Sequence, residues 1–195
     1  MKKVLKTITY ASIASLMLSS SCIADDILDT MEEAVASYKK GDYVQTKEDL
    51  VYVMELLKQK KGDSIKTLLP DALDGWTTEE AKSETAGSGM FGGGSTISRT
   101  YKKFKSKIVI SIVTDSPLLQ GLGSIIGNPM FSSGGTLKRI NREKATIKYN
   151  KKRESGEITL MLDKRFLITV KGTKVSEEDL VNYAKAIDFK KIKEQ

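Results

Sequence analysis

The residues best placed to do chemistry in this 195-residue chain are carboxylates and glycines, because it contains no histidine and a single cysteine, Cys22. Asp71 and Asp74 flank a turn-prone stretch, and Glu79, Glu80 and Glu84 follow it. Paired carboxylates can supply the acid and the base or nucleophile of a glycosidase, but this spacing does not fix the separation that the reaction needs. Without histidine no Ser-His-Asp or Cys-His relay can be assembled, and zinc has no His/Cys ligand set. No Asp-x-Asp-x-Asp-Gly loop offers oxygen ligands to calcium. We therefore expect no cofactor, no metal and no catalytic residue.

Gly87-Ser88-Gly89-Met90-Phe91-Gly92 formally matches the dinucleotide fingerprint. That motif works when a strand precedes it and a helix follows, so that the helix N-terminus faces a pyrophosphate. Here the charged stretch before the glycines reads as helical and a strand follows, which is the wrong context. The glycines belong instead to an uncharged segment, 85–98, with a second uncharged segment at 116–137. Ten of the fifteen glycines fall in these two segments, in a chain where 29% of residues are charged. If the chain has a ligand or partner surface, its candidates are Met90, Phe91, Leu119, Leu122, Ile126, Met130 and Phe131. In the bland reading Met90 and Phe91 cap a loop over the core, and the stripe from Leu118 to Ile126, started by Ser116-Pro117, is a helix buried on a sheet.

The N-terminus decides where any such surface works. Lys2, Lys3 and Lys6 precede an apolar run over 8–18 and small residues up to Ala24, the pattern of a cleaved secretory signal over 1–24. Cleavage after Ala24 would release a soluble periplasmic protein. Acylation of Cys22 would instead give a lipoprotein on the outer membrane, and only then is membrane association expected. Losing 1–24 removes three lysines and no acid, so the formal charge falls from +7 to +4. That balance and the extracytoplasmic address both argue against a nucleic-acid partner.

Further along, Ile27, Met31, Ala34, Val35 and Tyr38, then Leu50, Val53, Met54 and Leu57, recur at helical spacing on either side of Lys40-Gly41-Asp42-Tyr43. This predicts an antiparallel helical hairpin over 25–62. Ala34, Tyr38, Gly41, Tyr43 and Leu50 resemble one tetratricopeptide repeat over 32–61, although one repeat alone cannot build a stacked groove. Gly62-Asp63 reads as the start of a connection through Pro70 to Asp74-Gly75-Trp76, with Trp76 anchoring the turn to the core.

Strand alternation begins after Ser95: Ile97, Arg99 and Tyr101, then Ile108, Ile110 and Ile112, then 136–140, 144–149, 157–162 and 166–170. Short links such as Asn141-Arg142 and Asp163-Lys164 favour antiparallel neighbours. Ser176 caps a last helix carrying Leu180, Tyr183, Ala184 and Ile187. The fold class is therefore α+β, a two-helix hairpin followed over 63–195 by an antiparallel sheet with packed helices. The order of elements over 69–189 resembles the α/β sandwich of the Mog1 and PsbP-like proteins. Leu69-Pro70, Gly75-Trp76, Asp115-Ser116-Pro117-Leu118-Leu119 and Arg165-Phe166-Leu167 resemble a group of secreted Gram-negative proteins of unknown function. Neither resemblance implies an activity. The expectation is a non-enzymatic envelope protein that binds another protein, the alternative a carrier or sensor of a small apolar or lipid ligand.

Overall fold

The structure, a computed structural model, describes residues 19–86, 94–122 and 134–195, and side chains over 26–84, 94–119, 121 and 134–195. The chain divides into two compact units, residues 1–57 and 58–195. In the first, α1 (Ser19–Lys39) and the start of α2 (Tyr43–Thr67) form the expected hairpin. Its bend is a Schellman turn: the Asp42 amide donates to the Ser37 carbonyl and the Gly41 amide to the Tyr38 carbonyl, with Gly41 at φ +78°. Asp42 then accepts the Gln45 amide at 3.0 Å and so caps α2. Ile27, Ala34, Val53 and Leu56 are buried in this unit.

α2 does not stop at Gly62, where the sequence reads as a connection. It continues to Thr67, with Ile65 wholly buried in the core of the second unit. A Cβ at position 62 would collide with the Ser83 side chain, so this glycine serves close packing rather than helix termination. The charged stretch before the first glycine-rich segment is likewise no helix. β1 (Thr77–Thr78) and β2 (Lys82–Ala86) both pair with the outer edge of β3 (Gly94–Lys103). Ladder hydrogen bonds to β3 outweigh the helix propensity of the Glu and Lys residues there.

The second unit is α+β. One eight-stranded antiparallel sheet runs β1-β3-β4-β8-β7-β6-β5, with β2 beside β1 on β3. β4 is Ser106–Thr114, β5 Thr136–Ile140, β6 Glu143–Asn150, β7 Ser155–Leu162 and β8 Phe166–Thr173. The short helix α3 (Leu118–Leu122) follows β4, and α4 (Glu177–Ala186) and α5 (Phe189–Lys193) close the chain. Asn141-Arg142 and Asp163-Lys164 all have positive φ, the signature of two-residue hairpin turns whose twist matches the strands they join.

Alternate residues fill the core face: Ile97 and Tyr101, Ile108, Ile110 and Ile112, Ile158, Leu160 and Leu162, then Phe166, Ile168 and Val170, all wholly buried. α4 is held against that face by a cross-strand pair of glycines. Gly156 and Gly172 are register partners, and Cβ atoms there would lie 3.0 and 2.8 Å from the Leu180 side chain. The absent side chains make the seat into which Leu180 drops. Ser176 caps α4 through a reciprocal capping box with Asp179. Gly172→Val is therefore expected to lift α4 and to destabilise the domain by about 1–3 kcal/mol, read as a lower urea midpoint. An unchanged midpoint would refute the seat.

Candidate functional site

The carboxylates do not converge. Asp71 is almost fully exposed and lies 3.5 Å from Arg99, and Glu79 pairs with Lys102, whose hydrogen bond holds that carboxyl below the usual range. Among the described residues no group of three or more His, Cys, Asp or Glu is placed to hold a metal. Trp76 is the expected anchor. It is 9% exposed and meets Tyr183 edge-on at 5.2 Å, while Tyr183 lies 4.5 Å from Tyr101. Beside it an open cavity of about 510 Å³ is bordered by Asp74, Lys103, Asp179 and Asn182.

Two other regions stand out. The first is the hairpin. At about 100° per residue, Ile27, Thr30 and Ala34 of α1 occupy one sector, and Asp49, Val53 and Leu56 of α2 occupy the matching one; all six are buried. Turned further around each helix in its own winding sense lie Leu28, Met31, Val35 and Tyr38 on α1, and Tyr43, Leu50, Met54 and Leu57 on α2. Because the helices are antiparallel, both second sectors come out on the same side. The Tyr38 and Tyr43 rings meet there at 5.9 Å, closing the two rows into one face. Its eight side chains are 44–68% exposed. Sequence periodicity assigns both sectors to one apolar stripe; only the pairing of helices separates the buried row from the presented one.

The second region is the end of the sheet where the first uncharged segment attaches and the second begins. Segment 87–93 enters β3 at Gly94, and β4 ends at Thr114 before Ser116 and α3. These roots touch: Ser95 and Thr114 are register partners. A Cβ on Gly94, which has φ +128°, would lie 2.7 Å from the Thr114 carbonyl and 3.1 Å from Ser116 Cβ. Ser95 and Thr114 sit on the core face where the rows of Ile97 and Ile112 end, both wholly buried. Among the described residues their hydroxyls have no hydrogen-bond partner. Alongside, Lys61 bridges to Asp115 at 2.7 Å, and Lys61 and Arg165 approach the buried Phe166 ring at 5.2 and 5.0 Å. Hydroxyls at core parity in β-branched strands are the sequence signal for this pair.

Of the candidate surface residues, Leu119 is 2% exposed in α3 and faces the interior. Leu122 ends α3 with its side chain outside the described residues. Met90, Phe91, Ile126, Met130 and Phe131 lie outside them altogether. Cys22 falls within α1, again with its side chain outside the described set. Among the described residues no helix is long and apolar enough to cross a membrane. No family profile, curated protein or solved structure matches this chain.

Two outcomes follow from this geometry. A buried hydroxyl without a partner costs about 1–3 kcal/mol of desolvation. Thr114→Val, which keeps the shape and removes the hydroxyl, should therefore raise stability by about 1 kcal/mol in urea unfolding; a lower midpoint would mean the hydroxyl has a stabilising role. Burial also pushes the Tyr101 hydroxyl, which donates to the Pro70 carbonyl at 2.6 Å, and that of Tyr183 above the ordinary tyrosine range. In the unfolded chain both ionise from about pH 10. Their contribution is thus complete below that pH and is lost as pH rises towards the folded values. Tyr101→Phe should cost about 1 kcal/mol at pH 7 and flatten the alkaline decline, which unfolding series between about pH 7 and 11 would measure.

Proposed function

We propose that the protein is a non-enzymatic extracytoplasmic interaction module, exported through its N-terminal signal, whose partner-binding surface is the second apolar face of the helical hairpin. The observation that carries this reading is the contiguous row pair from Leu28 to Tyr38 and from Tyr43 to Leu57, with exposures of 44–68%. Single exposed apolar side chains are ordinary on a protein surface, but a two-helix face composed of them is the kind of patch that a partner covers. Weighted by exposure, it presents on the order of 800 Å², close to one side of a standard protein interface. The tetratricopeptide-like spacing of the hairpin points the same way. A partner with an apolar helix or groove fits it.

A second reading, a carrier or sensor of a small apolar or lipid ligand, is favoured by the contact between the roots of the two uncharged segments and by the unpaired Ser95 and Thr114 hydroxyls. Native mass spectrometry of gently purified protein tests it, since a co-purifying small molecule would be seen directly.

A photo-crosslinking residue at position 50 should capture a specific envelope protein in intact cells. Met54→Glu on the same face should abolish the capture while changing stability by less than about 0.5 kcal/mol, as expected of a half-exposed position. Capture that is indifferent to Met54→Glu would sink the assignment of this face.

A further inference from the structure

At the opposite end of the sheet from the Ser95–Thr114 pair, the β3–β4 turn carries Lys102-Lys103-Phe104-Lys105 and then Lys107. Phe104 is fully exposed, at 101% of its reference area, and its backbone has φ +53°. A bulky residue in the left-handed region at a hairpin tip is locally unfavourable, and none of the described residues covers the ring. Two neighbouring segments carry the same charge. The β6–β7 turn holds Lys151-Lys152-Arg153, and Lys171 and Lys174 lie at the end of β8.

Hydrogen bonds tie these segments into one edge. The Ser106 hydroxyl donates to the Lys174 carbonyl, and the Val175 amide donates to the Glu154 carbonyl at 2.8 Å. Of the nine cations, Lys102 is paired with Glu79, and Lys103 lies 6.0 Å from the Trp76 ring. Among the described residues none of the other seven makes an ion pair within 4.0 Å, though Lys102 and, more weakly, Lys107 hold the Glu79 carboxyl down and Lys171 is the register partner of Glu157. The acids nearest in sequence are engaged or few: Glu177 bridges to Lys138, Asp179 caps α4, and Glu154 and Glu157 remain.

We propose that this end of the sheet docks on an anionic phospholipid surface, with the lysines at headgroup level and the Phe104 ring inserted below them. Eight of the nine cations are lysines, which act as point charges towards a diffuse anionic surface; the planar fork that reads single phosphates of a nucleic acid is present only at Arg153. A lone aromatic at a convex tip has no second ring to build a stacking platform for bases, whereas it can reach the few ångströms into the acyl boundary that interfacial anchoring requires. Each basic group near such a surface adds to the attraction, and salt screens it. This surface is independent of the hairpin face and of any acyl group on Cys22.

The test uses the purified chain with Cys22→Ser, so that no acyl anchor contributes, and compares variants that share the same N-terminus. Co-sedimentation is measured with vesicles of phosphatidylcholine alone and with about 30% phosphatidylglycerol added. Binding to the anionic vesicles should exceed binding to the neutral ones and weaken with salt. Lys105→Ala and Lys152→Ala should each reduce it about fivefold, and Phe104→Asn, which tolerates the positive φ, about tenfold. Phe104→Trp should add a tryptophan emission that shifts to the blue on the anionic vesicles. Equal binding to both vesicles, insensitivity to Phe104→Asn, an unshifted emission from the Phe104→Trp variant, or tighter binding to an oligonucleotide than to the vesicles would each overturn the proposal.

Discussion

The pairing of β4 with β8 is the constraint on which the rest of the domain depends. It joins the β3–β4 hairpin to the β5–β8 meander in register from Lys107↔Thr173 to Thr114↔Phe166. Without it β4 and β8 would each be an open edge, and the wholly buried residues of the two halves would lose their shared core. Closing the pair brings together residues 52 to 66 positions apart in the chain, and the entropy of that closure is offset by the wholly buried Ile108, Ile110, Ile112, Ile168 and Val170. The glycine seat for α4 depends on the same register, because Ile108, Gly172 and Gly156 form one cross-strand row.

The second consequence of that register is a domain with two unlike ends. One end gathers both roots of the first uncharged segment and the start of the second around Ser95, Thr114 and Gly94, while the second segment re-enters the sheet at Thr136 towards the other end. The other gathers the turns rich in lysine around Phe104. In the sequence these features are interleaved, with the first uncharged segment, the basic turn and the second uncharged segment following one another. Strand alternation sorts them, because each antiparallel strand returns the chain to the opposite end. A single sheet thereby presents two chemically different surroundings.

Much of this is legible in the residues. The alternating isoleucines of β4, the paired turn residues Asn141-Arg142 and Asp163-Lys164, and the Ser176 cap each carry a local signal strong enough to be kept in the fold. Two elements are not legible, for physical reasons. Lys82–Ala86 has no alternation of apolar residues, and it is a strand because the edge of β3 offers it hydrogen bonds. Gly62 carries a helix-ending residue type but lies where Ser83 needs the space. The presented hairpin face is hidden inside a correct periodicity, since the buried and exposed rows sit side by side on one stripe. Phe104 escapes notice because an aromatic within a lysine run reads as part of a strand until the turn around it is known.

The margins of the sheet bear on how the protein fails. β5 is exposed along most of its length and carries Lys138 and Arg139, with Lys138 tied to Glu177. On the far side, β3 is flanked by two short strands rather than one long one, and the Arg99 guanidinium turns back onto the Leu69, Pro70 and Glu79 carbonyls. Neither margin offers an incoming strand an unbroken, uncharged ladder. The folded domain is thus a poor template for fibrillar growth, and exposure of the β4 ladder requires that the β4–β8 pairing open.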